Sequence, residues 1–176
     1  MSLIQIYTDT VRSGVLQADP AQEGTMLELE RLRQVLSQPR KRGWFRKSTP
    51  APKGIYLWGG VGCGKSMLMD MFARSLGASV RRVHFHAFMQ EVHSGIARAK
   101  SQGVVDAIQP VAQEMAAGIS CLAFDEMQIT DITDAMLVSR LFEALFAAGI
   151  VIVATSNRHP NNLYKNGLNR QLFVPF

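Results

Sequence analysis

The feature that most constrains this chain is an eight-residue stretch, residues 59–66, which reads Gly-Gly-Val-Gly-Cys-Gly-Lys-Ser. Two glycines, Gly59 and Gly64, bracket four residues and are followed by lysine and serine, which is the pattern of a phosphate-binding loop. An apolar run precedes the stretch and a helical pattern follows it, so a strand is expected to lead through it into a helix. We therefore predict that the chain binds a nucleoside triphosphate.

Each residue type in this loop has a physical role in phosphate binding. Glycines let the backbone wrap around a phosphate with its N–H groups pointing inward, and the helix that starts there adds unpaired amides and a favourable dipole. Lys65 can reach the β- and γ-phosphates of ATP, and the Ser66 hydroxyl can ligate Mg²⁺. The predicted nucleotide-contacting set is Gly59, Gly60, Val61, Gly62, Cys63, Gly64, Lys65, Ser66 and Met67.

The bulk composition predicts a globular domain in a reducing compartment. The 176 residues are 47% hydrophobic and 19% charged, which suits one domain with its own core. The net charge of +5 fits an ordinary enzyme as well as a protein that meets nucleic acid or anionic lipid. The two cysteines have no metal-ligand spacing, and the N-terminus lacks a signal-peptide pattern. We predict a cytoplasmic protein.

The chain divides into two parts with different patterns. Residues 1–52 form an N-terminal helical segment and a basic linker, in which a weak helical stripe over 3–16 precedes a helix predicted to begin at Thr25. Thr25 and Glu28 have the spacing of a capping box. Residues 53–176 form the phosphate-loop core.

Strands and helices alternate throughout this core. Three short apolar runs and the stretch at 82–86 predict strands, and four longer periodic segments predict the helices that separate them. The strands are expected at 55–58, 82–86, 121–124 and 150–154, and the helices at 67–76, 87–100, 104–117 and 132–148. Continuous apolar strands joined by helices indicate an α/β fold with a parallel sheet covered on both faces.

An acidic pair, Asp125 and Glu126, follows the third predicted strand. In a domain with a phosphate loop, Asp125 is predicted to hold Mg²⁺ directly or through water, and Glu126 to orient and deprotonate the attacking water. The alternative is an acidic turn that merely ends a strand. The loop favours the catalytic interpretation.

Polar residues also follow the fourth strand, at the sheet edge where ligands bind. Asn157 is predicted to contact the γ-phosphate or the attacking water and so to sense the bound nucleotide. Arg158 and Arg170 are both candidates for an arginine that neutralises charge on the phosphates, from the same or a neighbouring subunit. A surface salt bridge is the alternative for either arginine, and the residues alone do not decide between them.

Three histidines raise the alternative of a metal site. His84 and His86 are expected on one face of the second strand, and His93 lies seven residues further on. No cysteine joins them at zinc-ligand spacing, and Glu91 is the one carboxylate nearby. Instead of a metal site, we favour the interpretation that the two strand histidines face the polar edge of the sheet or a helix terminus.

With these elements the chain resembles an AAA+ ATPase of the ZapE cell-division family, whose mitochondrial relatives are AFG-type ATPases. The resemblance spans residues 54–176 in family order. It rests on residues 59–66, 84–89 with His93, 124–126, 130–136, 154–157 and 163–170. The His-Phe-His stretch at 84–86 and the Ser-Asn pair at 156–157 are more specific than a phosphate loop alone.

The resemblance implies a fold, a set of roles and a function. It implies the strand order 1-4-3-2 and catalytic roles for Lys65, Glu126, Asn157 and Arg170, with Ser66 and Asp125 at the metal. It implies ATP hydrolysis by a ring-type homo-oligomer that remodels a protein client, such as the division-ring protein FtsZ in bacteria or respiratory-chain subunits in mitochondria. Peripheral contact with the inner membrane at the division site is compatible with this. Family members continue beyond residue 176, so we expect a fragment without the fifth strand and helical lid.

A nucleic-acid-binding AAA+ module of the helicase-loader type is the main alternative. Residues 40–47 interleave five basic side chains with Trp44 and Phe45, as in proteins that bind single strands. A solvated linker, or a patch that meets anionic lipid, is the interpretation we favour for residues 40–48. We therefore expect a protein client rather than a nucleic acid.

Overall fold

A computed structural model describes residues 2–38, 52–129 and 132–163. The basic linker at 40–48 and Arg170 lie outside these described residues. The helices are α1 (Leu3–Arg12), α2 (Pro20–Leu36), α3 (Lys65–Leu76), α4 (Phe85–Ser101), α5 (Ile108–Ala116) and α6 (Ile132–Ala147). The strands are β1 (Ile55–Trp58), β2 (Val80–His84), β3 (Cys121–Asp125) and β4 (Val151–Ser156).

The four strands form one parallel sheet in the order β1-β4-β3-β2. This confirms the predicted α/β fold and strand order. The two central strands, β3 and β4, are buried along their whole length. Because all four strands run the same way, their carboxyl ends meet at one edge, where the phosphate loop also lies.

The alternation of side chains along β3 and β4 divides the core between the two faces of the sheet. Leu122 and Phe124 pack on one face with apolar side chains of α4, α5 and α6. Cys121, Val151 and Val153 pack on the other face with side chains of α1, α2 and α3. Helices therefore cover both faces, as predicted. The division of the chain at residues 52 and 53 stays a prediction.

Helix α2 begins earlier than the sequence pattern predicted. Pro20 is its first residue, and the Asp19 carboxylate caps it by accepting a 2.8 Å hydrogen bond from the Ala21 amide. Thr25 lies inside the helix, where its hydroxyl donates to the Ala21 carbonyl, so the capping box predicted for Thr25 and Glu28 is wrong. Aspartate before a proline at the first helical position was the stronger start signal.

Strand β2 ends two residues before the predicted boundary. Helix α4 begins at Phe85, whose buried ring contacts the ring of Phe124 at a centroid distance of 5.5 Å. His86 is therefore helical, and the expectation that His84 and His86 share a strand face is wrong. Within the described ranges, no three metal-binding side chains of the His, Cys, Asp or Glu type are gathered at one point.

None of the helices in the described part of the chain has the length and apolarity needed to cross a membrane.

A buried carboxylate joins α1 to α2. Glu30 is 5% exposed, and its oxygens accept hydrogen bonds from the Leu3 amide at 2.9 Å and from the Arg33 guanidinium at 2.8 Å. The hydrogen bonds from Arg33 outweigh the effect of burial and lower the pKa of Glu30 from 4.5 to about 2. The ionised form is therefore favoured by folding.

We predict that Glu30→Gln lowers the free energy of unfolding by about 1–3 kcal/mol at neutral pH, because it removes hydrogen bonds to a charged acceptor. In the parent, this contribution is complete above pH 4.5 and is lost as the pH falls toward about 2. Urea denaturation between pH 7 and pH 3 measures both effects.

Glu28→Gln, at an exposed ion pair with Arg31 on the same helix, is the matched control. An equal loss of stability in both variants, or a loss in Glu30→Gln that stays constant down to pH 3, would contradict this role for Glu30.

Candidate functional site

The loop between β1 and α3 has the backbone geometry of an anion site. Gly62 and Gly64 adopt φ angles of 84° and 83°, in the left-handed region where a residue with a Cβ is strained. Gly64 precedes α3, and no side chain among the described residues caps that end of the helix. The first amides of α3 thus remain free to bind an anion, and the helix dipole favours negative charge there.

The Lys65 side chain folds back over this loop. Its Nζ donates hydrogen bonds to the carbonyl oxygens of Gly59 at 3.0 Å and Gly60 at 2.7 Å. The Cys63 thiol also donates to the Gly60 carbonyl, at 3.1 Å. The ammonium group is therefore held at the loop by main-chain oxygens.

A hydroxyl–carboxylate contact joins the loop to the acidic end of β3. Ser66 Oγ donates to Asp125 Oδ1 at 2.9 Å, although the two residues are 59 positions apart in the chain. Burial raises the pKa of Asp125, but hydrogen bonds from Ser66 and Thr155 and the Arg82 guanidinium outweigh it and lower that pKa below its ordinary value. Asp125 is thus ionised at neutral pH.

The donor set at this contact fits Mg²⁺. A hydroxyl oxygen and an ionised carboxylate are hard oxygen ligands, and Mg²⁺ is usually held by one or two such protein groups together with waters and phosphate oxygens. Ser66 and Asp125 are the residues that the sequence predicted for this ion, and the structure places them in contact.

Glu126 follows Asp125 at the mouth of the site and is exposed. Its φ angle is 55°, a left-handed conformation that costs a non-glycine residue about 1–3 kcal/mol. Two hydrogen bonds hold the turn: the Glu126 amide donates to Thr155 Oγ1 at 3.0 Å, and the Met127 amide donates to the Thr155 carbonyl at 2.7 Å. Strained backbone of this kind is concentrated at functional sites.

The loop, the acidic turn and the end of β4 line one open cavity of about 290 Å³. Its lining includes Lys65, Ser66, Glu126 and Asn157 from the predicted site residues. Among the described residues, the cavity is lined by Val61, Gly62, Gly64, Lys65, Ser66, Met67, Glu126, Thr155, Ser156 and Asn157. Asp125 adjoins this cavity through its hydrogen bond to Ser66.

A second cavity adjoins the phosphate loop, and the two candidate arginines lie apart from both cavities or outside the described residues. Cys63 and Lys65 line a neighbouring cavity of about 230 Å³ between the loop, β1 and the start of α2. Arg158 is exposed after β4, and its carbonyl accepts a hydrogen bond from the Tyr56 hydroxyl at 3.0 Å. Arg170 lies outside the described residues, so its role stays a prediction.

Two site residues were missed by the sequence analysis. Thr155 is buried at the end of β4, where its hydroxyl donates to Asp125 Oδ1 at 2.9 Å and accepts from the Glu126 amide. Arg82 of β2 donates to Asp125 Oδ2 at 2.6 Å. Thr155 was visible in the sequence only as a polar residue at the end of an apolar strand, and Arg82 only as one of two adjacent arginines in β2.

A relay of hydrogen bonds also connects the N-terminal helices to the loop. The amide Nε2 of Gln22 in α2 donates to the Cys63 carbonyl at 3.2 Å, and the Tyr7 hydroxyl of α1 donates to Gln22 Oε1 at 3.3 Å. The Asp19 amide in turn donates to the Tyr7 hydroxyl at 3.2 Å. No local pattern predicts contacts across 41 residues.

The fold and this arrangement of residues define a P-loop protein of the AAA+ class. Among solved structures, the chain is similar to DnaI, with a TM-score of 0.61 and 18% identity over 93% of this chain and 80% of that one. It is also similar to AMPPCP-bound DnaA from Aquifex aeolicus, with a TM-score of 0.57 and 15% identity over 89% of this chain and 44% of that one.

The family is narrower than this class. The model of the AFG1-like ATPase family matches residues 1–176, and the chain belongs to that family. It is 41% identical over 187 aligned positions to the cell division protein ZapE of Escherichia coli K12, covering 96% of this chain and 49% of that protein. The chain thus spans about half the length of this curated relative.

We predict that Thr155→Val destabilises the fold by about 1–3 kcal/mol, because it leaves the Glu126 amide without its acceptor and Asp125 with one donor fewer. Thr155→Ser keeps the hydroxyl and serves as the matched control. Urea denaturation of both variants measures the difference. A serine variant that is less stable than the valine variant would show that the methyl group, and not the hydroxyl, matters.

Proposed function

We propose that the chain hydrolyses ATP to ADP and phosphate in the 290 Å³ cavity at the phosphate loop. The observation that carries this proposal is the contact between Ser66 and Asp125, which joins the loop to an acidic turn on the same edge of the sheet. Membership of an ATPase family supports it. The presence of AMPPCP in the DnaA neighbour supports a nucleotide as the ligand.

In the proposed reaction, the loop amides and the N-terminus of α3 bind the phosphates. Lys65 exchanges its contacts with the Gly59 and Gly60 carbonyls for phosphate oxygens. This exchange brings one positive charge from the loop backbone to the β- and γ-phosphates.

Ser66 and Asp125 would hold Mg²⁺ at the loop. When bound, Mg²⁺ would supply positive charge that offsets the charge of the phosphates. Asp125 is prepared for this role because it is already ionised and oriented by Ser66 and Thr155.

Glu126 would orient the attacking water and accept its proton. Glu126 is exposed and lines the cavity, and its backbone amide is held by Thr155. Asn157, which also lines the cavity, would hydrogen-bond the water or the γ-phosphate. Arg158 and Arg170 remain the two candidates for an arginine that neutralises phosphate charge.

We also propose that hydrolysis drives the remodelling of a protein client by a ring-type homo-oligomer in cell division. The likeness to a cell division protein over 96% of this chain supports this role. FtsZ is the client we propose, in the cytoplasm at the division site, with peripheral contact to the inner membrane.

We predict that Glu126→Gln keeps nucleotide affinity but lowers hydrolysis by about 10²- to 10⁴-fold, because binding does not need the base. Lys65→Ala should instead lose binding. Titration of a fluorescent ATP analogue and release of phosphate are the two measurements.

Glu143→Gln, at an exposed carboxylate on α6, is the matched control for the first variant. Hydrolysis by Glu126→Gln at the parental rate would show that another group activates the water.

We predict that ATP increases the binding of purified FtsZ to the Glu126→Gln variant. ATP that is bound but not hydrolysed should keep the variant in the state that binds its client. Co-sedimentation with and without ATP is the measurement, with Lys65→Ala as the control that cannot respond to nucleotide. Equal retention by both variants in ATP would argue against FtsZ as a nucleotide-dependent client.

A further inference from the structure

Arg82 forms an ion-pair bridge between two carboxylates on different elements. Its Nη2 donates to Asp125 Oδ2 of β3 at 2.6 Å, and its Nη1 donates to Asp70 Oδ1 of α3. The Asp125 side chain is 7% exposed, while those of Arg82 and Asp70 are about one-third exposed. The bridge thus begins at the buried strand end and reaches the surface of α3.

Helix α3 is therefore tied to Asp125 twice. Ser66 contacts Asp125 Oδ1 directly, and Asp70, one helical turn further along, is linked to Asp125 Oδ2 through Arg82. Residues four apart lie on the same side of a helix, so both ties come from the side of α3 that meets the end of β3. The guanidinium fork suits this bridge because it has donors that can serve two carboxylates at once.

The two oxygens of Asp125 have different neighbours. Oδ1 accepts from the hydroxyls of Ser66 and Thr155, on the side of the phosphate loop, and Oδ2 accepts from Arg82. A carboxylate can rotate about its last side-chain torsion, which has a broad energy minimum. The contact at Oδ2 limits that rotation and keeps Oδ1 directed toward Ser66.

We propose that Arg82 is a positioning residue that sets the affinity of the site for Mg²⁺ by holding Asp125, and that Asp70 acts through Arg82. This inference rests on the proposed function, in which Ser66 and Asp125 hold the ion. Arg82 contacts the oxygen that is turned away from Ser66, so it orients the carboxylate without occupying the oxygen beside the loop.

The test is a titration of the affinity for a fluorescent ATP analogue against Mg²⁺ concentration. The Mg²⁺ midpoint is the Mg²⁺ concentration that gives half of the metal-dependent gain in affinity. Arg82→Gln should raise this midpoint by about 10-fold or more, as the removal of other outer-sphere partners does. Affinity for the analogue in EDTA should stay unchanged, because loop amides and Lys65 bind the phosphates. A residue that merely stabilised the fold would lower both affinities.

Two further variants define the mechanism. Arg82→Lys has a single point charge in place of the fork and should give an intermediate shift. Asp70→Asn should shift the Mg²⁺ midpoint in the parent but add nothing in the Arg82→Gln background, because Asp70 acts through the arginine. Equal shifts in both backgrounds would overturn that coupling.

Arg81→Gln is the matched control, since the neighbouring side chain leaves β2 on the opposite face and pairs with Glu91 of α4. Its Mg²⁺ midpoint should equal that of the parent. If Arg82→Gln does not fold, Asp70→Asn decides, because it leaves the arginine in place, and an unchanged midpoint in that variant would overturn the proposal.

The outcomes separate this inference from the function on which it rests. A parent that binds no nucleotide would overturn the proposed function itself. A parent with metal-dependent binding, together with an Arg82→Gln midpoint that is unchanged or lower, would overturn the role of Arg82 alone.

Discussion

The 2.9 Å contact between the Ser66 hydroxyl and the Asp125 carboxylate is the interaction on which the site depends. It requires the first turn of α3 and the end of β3 to lie at one edge of the sheet. The parallel order β1-β4-β3-β2 satisfies that requirement, because β4 lies between the strand that enters the loop and the strand that ends in Asp125. The position of the cavity thus follows directly from the topology.

The burial of charge near this contact is compensated locally. Asp125 has a hydrogen-bond donor or a cation on each oxygen, and Thr155 links it to the strained turn at Glu126. A buried carboxylate without such partners would be protonated at a substantial energetic cost. The same groups that keep Asp125 ionised also fix where it points, so stability and the proposed metal site depend on one network.

The N-terminal helices α1 and α2 also pack against the elements that carry the site. Their apolar side chains share a core with α3 and the sheet, while Gln22 contacts the loop carbonyl of Cys63. Glu30 joins the two helices through the Leu3 amide. The segment before the phosphate loop therefore supports that loop from one side, and the acidic turn faces it from the other.

Local sequence was sufficient for features that depend on neighbouring residues. The glycine pattern and the apolar strands predicted the loop and the α/β fold, because backbone conformation and burial leave periodic patterns. Contacts between distant elements were decided by tertiary structure alone: Arg82 with Asp70 and Asp125, Gln22 with Cys63, and Thr155 with Glu126. These partners lie 12 to 43 residues apart, and a polar side chain does not encode which of many distant groups it will meet. That choice is made only when the helices pack against the sheet.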